Sequence, residues 1–230
     1  MSASPPAARV TAWVFDAYGT LFDVHSLAVI GERLAPGKGA ELSRLWRTKQ
    51  LEYTWLASLM ATRPRDDFAA LTGKALDYAI AALQLPWGSE ERAQLIAAYQ
   101  SLTPFPDAKA ALIALAPRPR WILSNGTLAM LEPLLHASGV HSLLDGVLSV
   151  DAAGIYKPAP QVYHLAVDRL HLAPAQIGFV SANGWDATGA KAFGLTTFWI
   201  NRGGQPVERH GPPPDFILAS LAELPALVRG

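Results

Sequence analysis

Val10-Thr11-Ala12-Trp13-Val14-Phe15 is a short, nearly continuous apolar run that stops at Asp16. A half-exposed strand alternates apolar and polar residues, whereas a run without alternation suits a strand covered on both faces, as in a parallel sheet. Four later segments repeat the pattern: Arg120-Trp121-Ile122-Leu123, Gly146-Val147-Leu148-Ser149-Val150, Ile177-Gly178-Phe179-Val180 and Thr196-Thr197-Phe198-Trp199-Ile200. Phe216-Ile217-Leu218 is a candidate sixth. Helical patterns lie between them, at about 107–116, 128–138, 159–171, 186–193 and 220–228. Strand alternating with helix predicts an α/β protein built on a doubly wound, mostly parallel sheet.

One stretch breaks this rhythm. From Val24 to Thr103 there is no convincing strand. Leu42, Leu45, Trp46, Lys49, Gln50, Tyr53, Leu56 and Met60 mark one helix, Phe68 to Leu83 a second and Glu90 to Leu102 a third. An ordinary strand-to-helix connection takes only a few residues, so the stretch reads as an insert. The expected division is an α/β core over 1–23 and 104–230 and a helical cap domain over 24–103, with Thr103-Pro104-Phe105-Pro106 as the return hinge. Ligands of open α/β sheets sit at the carboxyl ends of the strands, and a cap inserted there covers the site and excludes water. Trp46, Tyr53, Trp55, Leu56, Leu59 and Met60 are expected to form a buried cap face, shared between core and subunit contact.

The composition narrows the function classes. A chain of 230 residues with 50% hydrophobic residues can build a real core without staples. Lys+Arg and Asp+Glu are both 19, which argues against a nucleic-acid partner, since such binding rests on clustered excess cations. The absence of Cys removes disulfides, thiolate nucleophiles and Cys-metal sites. The opening MSASPPAARV lacks the long apolar region of a secretory signal, and no apolar run is long enough to cross a membrane. The default expectation is a soluble cytoplasmic protein without a membrane partner. His25, His136, His141, His164, His171 and His210 show no ligand spacing, so no metal and no cofactor are expected.

The strand ends are polar and specific. They read Asp16-Ala17-Tyr18-Gly19-Thr20, Ser124-Asn125-Gly126-Thr127, Ile155-Tyr156-Lys157-Pro158 and Ser181-Ala182-Asn183-Gly184-Trp185-Asp186. Together with Arg47 in the insert and Tyr163, this ensemble resembles the haloacid dehalogenase superfamily, and within it the (S)-2-haloacid dehalogenases. The similarity runs over about residues 10–225. It implies a Rossmann-like sheet of the haloacid dehalogenase fold, with the insert as its cap. It also implies hydrolysis of short (S)-2-haloalkanoic acids to (R)-2-hydroxy acids and halide through an ester on Asp16, and a homodimer.

The same resemblance implies the roles of the residues. Asp16 is the nucleophile, oriented by Thr20 and the backbone of the turn. Lys157 keeps Asp16 ionised and helps bind the substrate carboxylate. Ser124 and the amides after Ala17 bind that carboxylate, with Tyr18 as a pocket wall. Arg47, Asn125 and Trp185 cradle the halide. Asp186, with Asn183, places or activates the hydrolytic water, and Ser181 and Tyr163 tune Lys157 and the carboxylates. Superfamily phosphatases carry an acid where this chain has Tyr18, and another where it has Ala182. Mg²⁺ favours carboxylate oxygens and substrate phosphate, so losing one ligand speaks against a phosphatase, the alternative enzyme. A non-catalytic small-anion-binding protein is the third reading; it has no need of Asp16, Lys157 and Asp186 together.

Each residue also has a plainer reading. Asp16 and Thr20 could form or cap a turn. Arg47 could be a surface cation like its neighbours Arg44 and Lys49. Lys157 could be a solvated loop charge, Asn183 and Asp186 helix caps, and Tyr163 and Trp185 core. The structure decides between these by burial and partnership.

Overall fold

The computed structural model describes residues 6–60 and 64–227. Residues 1–5, residues 61–63 of the expected insert, and residues 228–230, including the end of the last expected helix, lie outside the described residues.

β1 (Ala12–Phe15) has all four residues fully buried. Successive strand residues point to opposite faces, so both faces of β1 are covered, as its sequence requires. β2 (Arg120–Ser124), β3 (Gly146–Ser149), β4 (Ile177–Ser181), β5 (Thr196–Ile200) and β6 (Phe216–Leu218) complete a six-stranded sheet of order β3-β2-β1-β4-β5-β6. Every pairing is parallel. The chain steps outward from β1 to β3, then crosses back to place β4 beside β1. The carboxyl ends of β1 and β4 therefore flank the point where strand order reverses, the ligand position of such sheets. Trp13 pairs with Gly178 in register, and a β-carbon at Gly178 would sit 2.8 Å from the Trp13 ring. The bare glycine lets that ring lie across the neighbouring strand.

Four helices fall between β1 and β2 and precede the first core helix: α1 (Leu27–Leu34), α2 (Gly39–Met60), α3 (Phe68–Ala82) and α4 (Ser89–Tyr99). Then follow α5 (Ala108–Ala114), α6 (Leu128–Ser138), α7 (Pro160–Leu170), α8 (Gly184–Phe193) and α9 (Leu224–Leu227). α1 was not foreseen; its Val29, Ile30 and Gly31 weaken any helical signal. The expected helix over 90–102 stops at Tyr99, and the expected one over 220–228 opens with a 3₁₀ turn at Leu221–Glu223. The chain leaves and re-enters the α/β layer side by side. The Asp23 amide donates to the Thr103 carbonyl (3.1 Å) and the Phe105 amide to the Leu21 carbonyl (2.8 Å).

The helices between β1 and β2 have their own apolar interior of Leu42, Trp46, Phe68, Leu71, Leu76, Leu95 and Tyr99, all buried. The expected cap face holds only in part. Trp46 is buried, but Leu56, Leu59 and Met60 are 40%, 82% and 63% exposed. The stripe of α2 that faces its neighbours ends at Ala57, and the last turn points away from them.

Candidate active site

Asp16 follows β1 directly, and its amide donates to the Val180 carbonyl of β4 at 2.9 Å. The chain then turns at once: the Thr20, Leu21 and Phe22 amides all donate to the Ala17 carbonyl. Gly19 has φ +88°, a left-handed conformation that residues with a β-carbon rarely adopt. The turn brings Thr20 back to donate its hydroxyl to Asp16 Oδ2 at 2.9 Å, while Thr20 Oγ1 accepts the Ala182 amide at 2.8 Å. Asn183 Nδ2 donates to the same Oδ2 at 2.9 Å. Asp16 Oδ1 has one donor, Lys157 Nζ, at 3.1 Å.

Lys157 is 1% exposed, a burial that an ammonium tolerates only when paired. Its second partner is Asp186 Oδ2 at 3.0 Å. Asp186 stands in the first turn of α8, where the helix dipole favours a carboxylate. It also accepts the Ser181 hydroxyl at 2.9 Å and the Tyr163 hydroxyl at 2.8 Å. One buried cation thus bridges two carboxylates, each held by three donors. Burial pulls the Lys157 ammonium down, but Asp16 and Asp186 outweigh it and leave its pKa above the ordinary lysine value. Burial raises Asp186 above the usual carboxylate range against the opposing pull of Lys157, and burial keeps the Tyr163 phenol protonated.

A small chamber of about 10 Å³ lies over Asp16, lined by Tyr18, Arg47, Phe68, Ser124, Asn125 and Trp185 among others. Asn125 Oδ1 accepts the Lys157 amide at 3.1 Å, which leaves its Nδ2 as a free donor end. Ser124 Oγ accepts the Gly126 amide at 3.1 Å and keeps its own proton to donate. Tyr18 is buried against Phe68 and Tyr99, with ring centroids 5.7 and 5.2 Å apart. Burial holds its phenol far above its ordinary pKa, so it serves as a neutral wall. Trp185 packs edge-on against Trp55 of α2, at 5.5 Å. Arg47 Nη2 reaches the Tyr18 carbonyl (3.3 Å) and Asn183 Oδ1 (3.4 Å). A second cavity, about 940 Å³, is an open cleft beside the chamber and shares Arg47, Leu51 and Asn183 with it.

Asp16, Thr20, Arg47, Ser124, Asn125, Lys157, Tyr163, Ser181, Asn183 and Asp186 therefore converge on one cluster, with Tyr18 and Trp185 on its wall. Ala17 is fully buried and presents only backbone, as a source of amides would. One placement differs from expectation: Asp186 is sealed behind Lys157 with no exposure, while Asn183 faces the chamber. Leu51 and Phe68 also line the chamber and were not singled out from the sequence. The signal for Leu51 was present: it lies four residues after Arg47, on the same helical face. Among the described residues no group of three or more His, Asp or Glu is placed to hold a metal ion.

The haloacid dehalogenase-like hydrolase family matches residues 10–194. An (S)-2-haloacid dehalogenase of Xanthobacter autotrophicus is 41% identical, with 96% of each chain covered. One from Pseudomonas sp. strain YL is 44% identical over 90% of this chain and 89% of the relative. A solved structure of L-2-haloacid dehalogenase from Xanthobacter autotrophicus, with chloropropionic acid covalently bound, superposes with a TM-score of 0.90. It is 40% identical and covers 96% of this chain and 99% of its own. The chain belongs to the haloacid dehalogenase-like hydrolases, in the branch of the (S)-2-haloacid dehalogenases.

Proposed function

We propose that the protein hydrolyses short (S)-2-haloalkanoic acids to (R)-2-hydroxy acids and halide. The observation that carries the reading is the Asp16–Lys157–Asp186 cluster beneath a small chamber walled by a guanidinium. Asp16 attacks the α-carbon; the carbon–halogen bond breaks and the halide leaves with its electron pair. Oδ1, with one donor against two on Oδ2, has the freer lone pair. Ser124, the Asn125 amide, Lys157 and the amides after Ala17 are assigned to the substrate carboxylate, and Arg47, Asn125 and Trp185 to the halide. Water, placed by Asn183, then attacks the acyl carbon of Asp16. Its proton passes to Asp186 by way of the Lys157 ammonium, which joins that buried carboxylate to the site at 3.0 Å. The acyl C–O bond breaks and the hydroxy acid departs. The covalently bound chloropropionic acid in the Xanthobacter relative supports an ester intermediate.

A halide needs no protonation to leave, so Tyr18 in place of an acid costs the reaction nothing. Lys157 already pairs with both carboxylates that a divalent cation would seek, and Ala182 offers no side-chain ligand. Halide release from (S)-2-chloropropionate is expected to survive EDTA dialysis and to yield (R)-lactate, since one displacement at carbon inverts it. Turnover of p-nitrophenyl phosphate with Mg²⁺ but not of the haloacid, dependence on added metal, or (S)-lactate would each contradict the reading. Binding of the haloacid without turnover would instead leave a small-anion-binding protein.

The cap over 24–103 and the core over 1–23 and 104–230 are the domain division we adopt, supported by the paired crossings at 21–23 and 103–105. A cytoplasmic homodimer is part of the same proposal; the exposed Leu56, Leu59 and Met60 support a subunit contact. Among the described residues no helix is long and apolar enough to cross a membrane.

A further inference from the structure

A guanidinium that receives a departing halide needs a fixed direction and an undiminished charge. Arg47 reaches the core through two long bonds only, at 3.3 and 3.4 Å. Its short bond, 2.7 Å from Nη1, goes to Gln50 Oε1. Gln50 lies three residues further along α2, on the same face, and is 1% exposed. Its amide is oriented from behind. Thr72 donates its hydroxyl proton to the Phe68 carbonyl at 2.6 Å, so towards Gln50 it has only lone pairs. It therefore accepts Gln50 Nε2, also at 2.6 Å, while the Tyr99 hydroxyl lies across both ends of the amide, accepting Nε2 at 3.0 Å and donating to Oε1 at 3.3 Å. With nitrogen fixed on Thr72, the oxygen faces Arg47 at 2.7 Å and shares only the longer Tyr99 bond. These partners of Arg47 are all neutral: a carboxamide, a backbone carbonyl and a second carboxamide.

We propose that Gln50 is a positioning residue for dehalogenation, a neutral acceptor that aims Arg47 at the halide without cancelling its charge. The inference rests on the dehalogenase reading above. A glutamate in its place would pair with Arg47 inside the cap and cancel the charge offered to the halide. A methionine would leave the charge and remove the direction.

The test compares wild type, Gln50→Glu, Gln50→Met and Arg47→Ala. Bromide binding to the resting protein is measured by calorimetry, and bromide inhibition during turnover of (S)-2-bromopropionate, with a melting curve for each protein. Gln50→Glu is expected to weaken both by roughly tenfold or more. It should lower kcat more than it raises KM. Gln50→Met should fall between it and wild type, and Arg47→Ala should set the floor. A general packing role would lower Tm without ordering the variants this way. A folded Gln50→Glu protein that binds and is inhibited by bromide like wild type overturns the proposal. So does bromide binding that Arg47→Ala leaves intact, or no bromide binding by wild type. If wild type binds bromide but turns over no 2-haloacid, the dehalogenase reading fails, and the binding series still decides whether Gln50 sets Arg47. Should Gln50→Glu not fold, Thr72→Val replaces it, since it removes the acceptor that orients the amide. Weaker bromide binding then supports the proposal and unchanged binding overturns it.

Discussion

Lys157→Met is expected to lower kcat/KM by roughly 10³-fold or more, a barrier increase of about 4 kcal/mol. It removes the only cation between two buried carboxylates, so Asp16 and Asp186 can no longer both remain ionised. Breaking such a pair also costs about 3–5 kcal/mol of stability. The pH dependence separates this account from simple unfolding. In wild type the Lys157 pKa lies above its ordinary value, so its stabilisation is complete below that value and is lost only as pH rises through the elevated one. Stability is therefore flat across neutral pH as far as Lys157 is concerned. In the variant the sign is reversed. Burial raises Asp186, and the opposing charge of Lys157 is gone. A carboxyl raised in the folded state favours folding below its unfolded value and loses that advantage as pH increases. Tm of Lys157→Met should thus fall as pH rises above about 4, where an unperturbed carboxyl ionises. A variant with the rate and Tm profile of wild type would contradict the bridging role.

Arg47→Ala should lower kcat by about 10²- to 10³-fold, the scale of a lost transition-state contact of roughly 3–4 kcal/mol. Arg44→Ala should stay within about twofold, as surface substitutions usually do. Both residues lie on α2, but Arg44 is exposed while Arg47 lines the chamber. Steady-state rates on (S)-2-chloropropionate decide it: equal, mild losses would remove Arg47 from the halide site.

What the sequence disclosed follows from the range of the forces involved. The strand at Thr196–Ile200 was legible to the residue, because an unbroken run of β-branched and aromatic residues suits a strand covered on both faces. Asp16, Ser124 and Ser181 were legible because each sits at or beside a strand end on the one edge a doubly wound sheet uses. Lys157 was legible only through its motif. By residue type it reads as a solvated charge, and the partners that permit its burial lie 141 and 29 residues away. Gln50 is the opposite case. A polar residue on a helix marks a solvent face unless other helices bring partners to it, and Thr72 and Tyr99 come from α3 and α4. Leu59 and Met60 failed in the other direction: they are apolar by type, but none of the described residues covers them.

The central claim is that Asp16 attacks carbon rather than activating water to do so. The most direct test is a single turnover of (S)-2-chloropropionate in ¹⁸O-water with enzyme in excess, followed by mass spectrometry of product and protein. In a covalent route the oxygen delivered to carbon comes from the Asp16 side chain, and water restores that oxygen in the second step. The expected result is unlabelled (R)-lactate with one label at Asp16, and slower label uptake than halide release in Asp186→Asn. Labelled lactate from that first turnover would contradict the account and make Asp16 a general base.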